Sequence, residues 1–351
     1  MGIFTALIIF SFLIFFHELG HFIAARFFGV RVEVFSIGFG KRFITKQIGD
    51  TEWSLSVIPL GGYIRMKGQD DSDPKFISYD HDSYNSKSPW QRIIISLAGP
   101  LANFLLAFLL YLSISQIGMP KLLSTVADLN QSHPAYEAGM RIGDKITNIN
   151  GRPIVYWEEI GDRIQKSQLP LQITVLRKNK YLDFSITPKL LETKNRFGEI
   201  EKRSIIGISP DFNDTTTVQY ELNHGIDYAY EQTKTASMLI VKGLQKLISG
   251  LIPMDNLSGV VGIVDTTSKV SNMGIVALLA FTALISVNLG VINLLPIPAL
   301  DGGHIMFNLY EMITNKAPNE EIMFKLTIMG WSVLLSLMLL GLYNDINRLI
   351  G

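Results

Sequence analysis

The chain contains no cysteine in its 351 residues. That absence excludes a disulfide framework, an iron–sulfur cluster and any thiol nucleophile, and it leaves the redox compartment unread. There is no surplus of either charge: 31 basic side chains stand against 31 acidic ones. A nucleic-acid binder carries a basic excess, so no nucleic-acid partner is expected. Charge is scarce altogether, at 18% of residues against 48% hydrophobic, and the mean hydropathy is +0.26. This balance points to a membrane protein with a water-soluble portion. Low-complexity tracts and clear internal repeats are also missing.

What is present is a set of long apolar runs. Met1 to Phe16 carry no charge, and the apolar character continues, interrupted by His17, Glu18 and His21, to Phe28. Ile93 to Pro120 and Ser271 to Leu300 are uncharged throughout, and Leu326 to Tyr343 forms a shorter run. A helix needs about 20 such residues to cross a bilayer. The runs predict four transmembrane helices over 1–28, 93–120, 271–300 and 326–344, with a tail at 345–351. The first lacks a basic leading region and holds polar residues within it, so it reads as a retained span and not a cleaved signal peptide. Lys and Arg crowd from the end of span one to the start of span two, Arg26 to Arg92; none precedes span one and only Arg348 follows span four. The positive-inside rule then makes the 29–92 loop cytoplasmic and puts both termini outside. The chain is expected to cross its membrane several times; in a bacterium that would be the inner membrane, with the periplasm or its equivalent on the far side.

Two insertions separate the spans. In the cytoplasmic one, Trp53, Leu55 and Val57 alternate with Ser54 and Ser56 before Pro59, Gly61 and Gly62, which predicts strand and hairpin. Asp70 to Asp82 reads as an acidic surface segment. The outer insertion, 121–212, reads as an α/β module. Its expected elements are a helix over Val155–Gln165, a hairpin of Leu171–Leu176 and Tyr181–Thr187 around Lys178-Asn179-Lys180, and a last strand near Ile205–Pro210. Residues 213–270 are expected to hold an amphipathic helix, Tyr220 to Leu251, and a linker. Residues 301–325 are expected to form a cytoplasmic loop.

The chemistry concentrates in the spans. His17-Glu18-Leu19-Gly20-His21 lies in span one. On a helix, positions i and i+4 share a face, so both imidazoles can reach one metal while Glu18 takes a proton from metal-bound water. Such groups are costly in hydrocarbon unless something compensates, and a zinc ion would. A catalytic zinc needs a third protein ligand and an open position. Asp301 is the only acid between Asp265 and Glu311, and it closes the run Asn293-Leu294-Leu295-Pro296-Ile297-Pro298-Ala299-Leu300. Pro296 and Pro298 prevent a regular helix there, and broken backbone at membrane depth is tolerated only inside protein or along a wet cavity. A helix cap is the plainer reading of Asp301. His304 is a neighbouring alternative ligand, or faces the loop and orients Asp301. Span two carries Gly99-Pro100-Leu101-Ala102-Asn103. Close helix packing accounts for Gly99 equally well, whereas Asn103 and Asn293 are amides able to hold a peptide carbonyl or its oxyanion.

These three motifs, in this order, resemble those of the site-2 protease family of intramembrane zinc metalloproteases. Ser132 to Ile146, followed by Ile149 to Ile154, is similar to a bacterial PDZ domain. Together they cover nearly the whole chain. The resemblance implies a multi-pass α-helical membrane protein with four transmembrane helices, a membrane-associated β-structured cytoplasmic loop over Arg31–Met66, and an extracytoplasmic α/β PDZ domain. It implies Zn2+ as cofactor, His17, His21 and Asp301 as ligands, Glu18 as base, Asn293 as a substrate-backbone contact and Asn103 in the packed substrate-binding core. The implied activity is hydrolysis in or near transmembrane segments of single-pass substrates such as an anti-sigma factor or signal-peptide remnants. The PDZ domain would bind a trimmed carboxyl terminus or screen substrates by size. The chain departs from better-known bacterial members in having room for one PDZ domain instead of two, and in carrying Ser258-Gly259-Val260 where Ser-Gly-Pro is frequent. Two rival readings are a metal transporter and a membrane-anchored PDZ scaffold without proteolytic activity. An ordinary cytoplasmic hairpin is the rival reading of the β loop.

Overall fold

The computed structural model describes residues 2–69, 78–165, 167, 169–195 and 199–350. The chain divides into two compact units, Met1–Ile114 with Leu222–Gly351, and Ser115–Glu221. The first unit opens with α1 (Gly2–Phe27), β1 (Val32–Ile48), β2 (Thr51–Met66) and α2 (Pro89–Ile117). The second contains β3 (Met119–Leu122), β4 (Val126–Leu129), α3 (Pro134–Glu137), β5 (Lys145–Ile149), β6 (Arg152–Pro153), α4 (Trp157–Gln165), β7 (Leu171–Arg177), β8 (Lys180–Ile186), β9 (Lys189–Lys194), β10 (Ile200–Ile205), β11 (Ile208–Pro210) and β12 (Thr215–Val218). The chain then returns to the first unit as α5 (Leu222–Ile248), α6 (Val260–Ser271), α7 (Ile275–Asn293), α8 (Asp301–Thr314) and α9 (Glu320–Ile350).

Among the described residues, four helices, α1, α2, α7 and α9, are long and apolar enough to cross a membrane. Their ends differ from the charge-free runs for identifiable reasons. Helix α2 begins at Pro89, a residue suited to a first helical position, and Arg92 sits inside it because Glu311 accepts its guanidinium at 2.6 Å. Helix α7 starts after Gly274 and stops at Asn293, where the prolines withdraw backbone donors. The expected tail at 345–351 is instead the end of α9. Asn344 donates to the carbonyls of Met254 and Leu257, and Asp345 accepts the Gly262 N–H at 2.7 Å. Polar residues that looked like a tail are partnered, so the helix continues. Likewise the expected loop at 301–325 contains α8, masked in the sequence by the low helix propensity of Gly302-Gly303.

Strands β1 and β2 form a folded hairpin. Val34–Ile37 pair on one side with Glu52–Leu55, the numbers rising together, and on the other with Gly62–Arg65 in opposite directions. Arg42–Ile48 pair with Thr51–Ser56. Gly62–Arg65 therefore form an outer strip. The hairpin base is fixed by a core of Ala25, Val30, Val32, Met66, Tyr84 and Ile95, and by Phe35 stacked on Trp53 at 4.3 Å. Of the expected acidic segment, Asp70 to Ile77 lies outside the described residues. Asp80 and Asp82 hold Lys67 at 2.8 and 2.7 Å.

The second unit is built on a four-stranded sheet in the order β6-β5-β7-β8. Lys178 and Asn179 both adopt left-handed backbone, the geometry of a tight two-residue hairpin turn. The face formed by Ile146, Ile149, Leu171, Ile173 and Val175 is covered by Ile160 and Ile164 of α4. Pairing of β12 with β3 extends the unit to Ser115–Glu221, beyond the expected 121–212, so Met119 and Pro120 are strand and not the end of a span.

Candidate active site

Helix α1 presents His17 and His21 one turn apart, with their Nε2 atoms 3.3 Å from each other. The first residue of α8 brings Asp301 to them: Oδ2 lies 3.3 Å from His17 Nε2, and Oδ1 lies 3.3 Å from His21 Nε2. Among the described residues, His17, His21 and Asp301 form the one cluster of this kind whose donor atoms fall within 4.8 Å of one another. His304 lies one turn further along α8, outside that cluster.

Glycines make the convergence possible. A β-carbon on Gly99 would enter the His21 ring, and one on Gly20 would enter the carbonyl of Ala98, so α1 and α2 approach to a distance only glycine permits. Gly302 faces the Leu295 carbonyl and Gly303 the Pro298 Cα, which lets the first turn of α8 tuck against the broken Leu294–Pro298 segment. The packing reading of Gly99 is thus part of the site: the space it leaves holds an imidazole.

The surroundings set the chemistry of the donors. His21 Nδ1 lies 2.8 Å from the Ile95 carbonyl. A carbonyl only accepts, so Nδ1 carries the proton and Nε2 keeps its lone pair for a metal. The Asn103 amide lies 3.1 Å from His17 Nδ1, and the Asn293 amide lies 3.5 Å from His17 Nε2. Both asparagines therefore converge on the same histidine. Glu18 and Asp301 line a cavity of about 750 Å³ together with Asn293, Gly62, Tyr63 and Trp331.

The sequence pattern of peptidase family M50 matches residues 5–338. A Campylobacter jejuni protein named as a candidate zinc metalloprotease is 46% identical, covering 99% of this chain and 93% of its own. The regulator of sigma-W protease RasP of Bacillus subtilis is 30% identical, covering 98% and 97%. Over 20% of its length the chain is also similar to the HtrA3 PDZ domain bound to a phage-derived ligand, at 26% identity, 81% coverage of that domain and a TM-score of 0.19.

The chain belongs to peptidase family M50. It is a multi-pass intramembrane zinc metalloprotease, and the cluster of this M50 protease suits its metal. Two imidazoles and one carboxylate are the ligand types of a catalytic zinc site that keeps a fourth position open. The two Nε2 atoms lie 3.3 Å apart and each is 3.3 Å from one of the Asp301 oxygens, close enough together for all three side chains to hold one ion. Asp301 Oδ2 is buried, faces His17 Nε2 at 3.3 Å and makes no hydrogen bond of good geometry, as a carboxylate oxygen shared with a cation would.

Several cavity residues escaped the sequence reading. Phe39, Tyr63 and Arg65 come from the hairpin, and Trp331 from α9. Gly61 and Gly62 after Pro59 signalled a turn, but nothing local showed that this turn borders Glu18. Trp331 looked like any other aromatic residue in a span.

Proposed function

We propose that His17, His21 and Asp301 hold the zinc and that Glu18 is the general base of peptide hydrolysis. The observation carrying this is the convergence of three donors from two separate helices at 3.3 Å, with Glu18 on the wall of the adjoining cavity. Zinc, when bound, polarises a carbonyl and lowers the pKa of its water to about 7. Glu18 takes a proton from water and returns it to the leaving nitrogen. Asn293 faces the same cavity and is suited to hold the substrate backbone.

A helical substrate hides its carbonyls in its own hydrogen bonds, so it must unwind before cleavage. The strip Gly62–Arg65 supports capture of the unwound segment. One edge pairs with β1, the other bears no strand among the described residues, and the strip lines the cavity. An extended chain would add there by β-augmentation. Phe43, Ile44, Ile48 and Val57 are exposed on the hairpin. Their apolar side chains favour a hairpin that touches lipid over one standing in water. In this reading the hairpin and metal site face the cytoplasm and both termini lie outside.

The unit Ser115–Glu221 acts as an extracytoplasmic PDZ domain. A groove of about 240 Å³ between Trp157, Ile160 and Ile164 of α4 and the segment Ser204–Ile208 supports peptide capture. The substrates are single-pass membrane proteins, anti-sigma factors or signal-peptide remnants.

The test is cleavage of a signal-peptide remnant in membranes by wild type and Glu18→Gln at matched protein levels. Product from wild type alone, lost on zinc chelation, is expected. Equal processing by both removes Glu18 from the mechanism, and partner capture without any product would favour a PDZ scaffold.

A further inference from the structure

Asn103 is fully buried, and Ser286 donates to its backbone carbonyl at 2.8 Å, fixing this turn of α2 against α7. Its side chain carries an asymmetry. The amide nitrogen faces His17 Nδ1 at 3.1 Å, while the amide oxygen is buried with no hydrogen-bond partner. With that orientation Nδ1 accepts, so a neutral His17 carries its proton on Nε2, the atom that joins the His21 and Asp301 cluster. A nitrogen bearing a proton cannot ligate a metal. A half-turn of the amide exchanges its two ends at almost no steric cost. The oxygen then accepts Nδ1–H, and His17 Nε2 presents a lone pair, as His21 Nε2 does through the Ile95 carbonyl. The number of unpartnered buried atoms on Asn103 stays at one, and the conflict at Nδ1 disappears.

We infer that Asn103 is a positioning residue whose amide oxygen holds His17 in the tautomer that binds zinc. This rests on His17 being a ligand. It assigns to Asn103 an acceptor function toward the protein, distinct from a donor function toward substrate. The two metal-binding histidines are then oriented by one means: each gives its Nδ1–H to an oxygen of α2, a main-chain one for His21 and a side-chain one for His17.

The experiment measures zinc affinity by chelator competition on the purified full chain in detergent, with turnover measured in parallel. Asn103→Asp keeps an oxygen acceptor and removes the amide N–H groups; Asn103→Leu removes both. Zinc binding is expected to stay within about threefold of wild type for Asn103→Asp and to weaken roughly 10–100-fold for Asn103→Leu. Wild-type zinc affinity in Asn103→Leu, or equal weakening in both variants, overturns the assignment. Loss of turnover in both with zinc affinity intact overturns it too, in favour of donation to substrate. If Asn103→Leu does not survive extraction, Asn103→Ala takes its place in the same comparison. His17→Ala separates the two proposals: if it leaves zinc affinity at the wild-type value, the ligand assignment itself fails.

Discussion

At the scale of single residues, the site depends as much on atoms that are missing as on those present. Gly99 leaves the space that the His21 ring occupies. Gly99→Ala would place a methyl group inside that ring's contact distance and push Nε2 away from Asp301. Zinc affinity is expected to drop at least about tenfold, and turnover to fall with it, while the helices keep their far-ultraviolet signature. A Gly99→Ala protein with wild-type zinc affinity would show that the ring can move without cost. The histidine pair was legible in the sequence because its spacing is local to one helix, and Asp301 because a lone acid beside two prolines in an apolar run needs a reason. The partners of the histidines were not. Asn103 meets His17 across 86 positions and Ile95 meets His21 across 74, and no local pattern encodes such a meeting. The sequence suggested that Asn103 mattered; only the geometry suggests which of its atoms does.

Among the elements, the hairpin shows how far alternation can be read. The pattern around Trp53–Val57 marks a strand, yet it does not reveal that Val34–Ile37 have partners on both sides. That arrangement depends on glycines and positive φ angles at Gly38, Gly40 and Gly61, which bend the strands back. It brings Gly62 against Glu18: a β-carbon there would lie 3.4 Å from Glu18 Cγ but only 2.9 Å from the Ser36 carbonyl and 2.5 Å from Ile14. Gly62→Ala must therefore shift the strip outward. A misplacement of about 1 Å can cost on the order of 100-fold in rate, so turnover is expected to fall by that order with zinc affinity unchanged. Loss of zinc together with turnover would show that the hairpin supports the metal site and does more than align substrate. The helices follow the same rule of legibility. The break after Asn293 was written in its prolines, whereas α8 was masked by its Gly302-Gly303 start and the last turns of α9 depend on tertiary partners.

For the molecule as a whole, hydropathy located the four spans, but the limits of the second unit rest on β3 meeting β12 nearly a hundred residues later. This pairing joins the two ends of an insertion that carries its own core, so the unit can fail without the membrane helices failing. Asp144 is its vulnerable point. The carboxylate is fully buried, accepts Arg177 at 2.6 and 2.7 Å, and accepts the Arg141 N–H at 2.8 Å. The same pairing holds the Arg177 guanidinium above its ordinary pKa. Asp144→Asn removes the charge that the part-exposed Arg177 pairs with, and losing such charge-assisted hydrogen bonds costs about 1.5–3 kcal/mol. For a unit of about 100 residues, about 2 kcal/mol lowers Tm by roughly 8–16 °C. Calorimetry of the full-length protein is expected to show one transition moving down by that amount while the transition of the membrane helices stays in place. Above the lowered transition, a substrate already stripped of its outer domain should still be cut at the wild-type rate, because the proposed zinc ligands and base, His17, His21, Asp301 and Glu18, all belong to the first unit. If both transitions moved together, the two units would fold as one, and the insertion would be part of the catalytic framework.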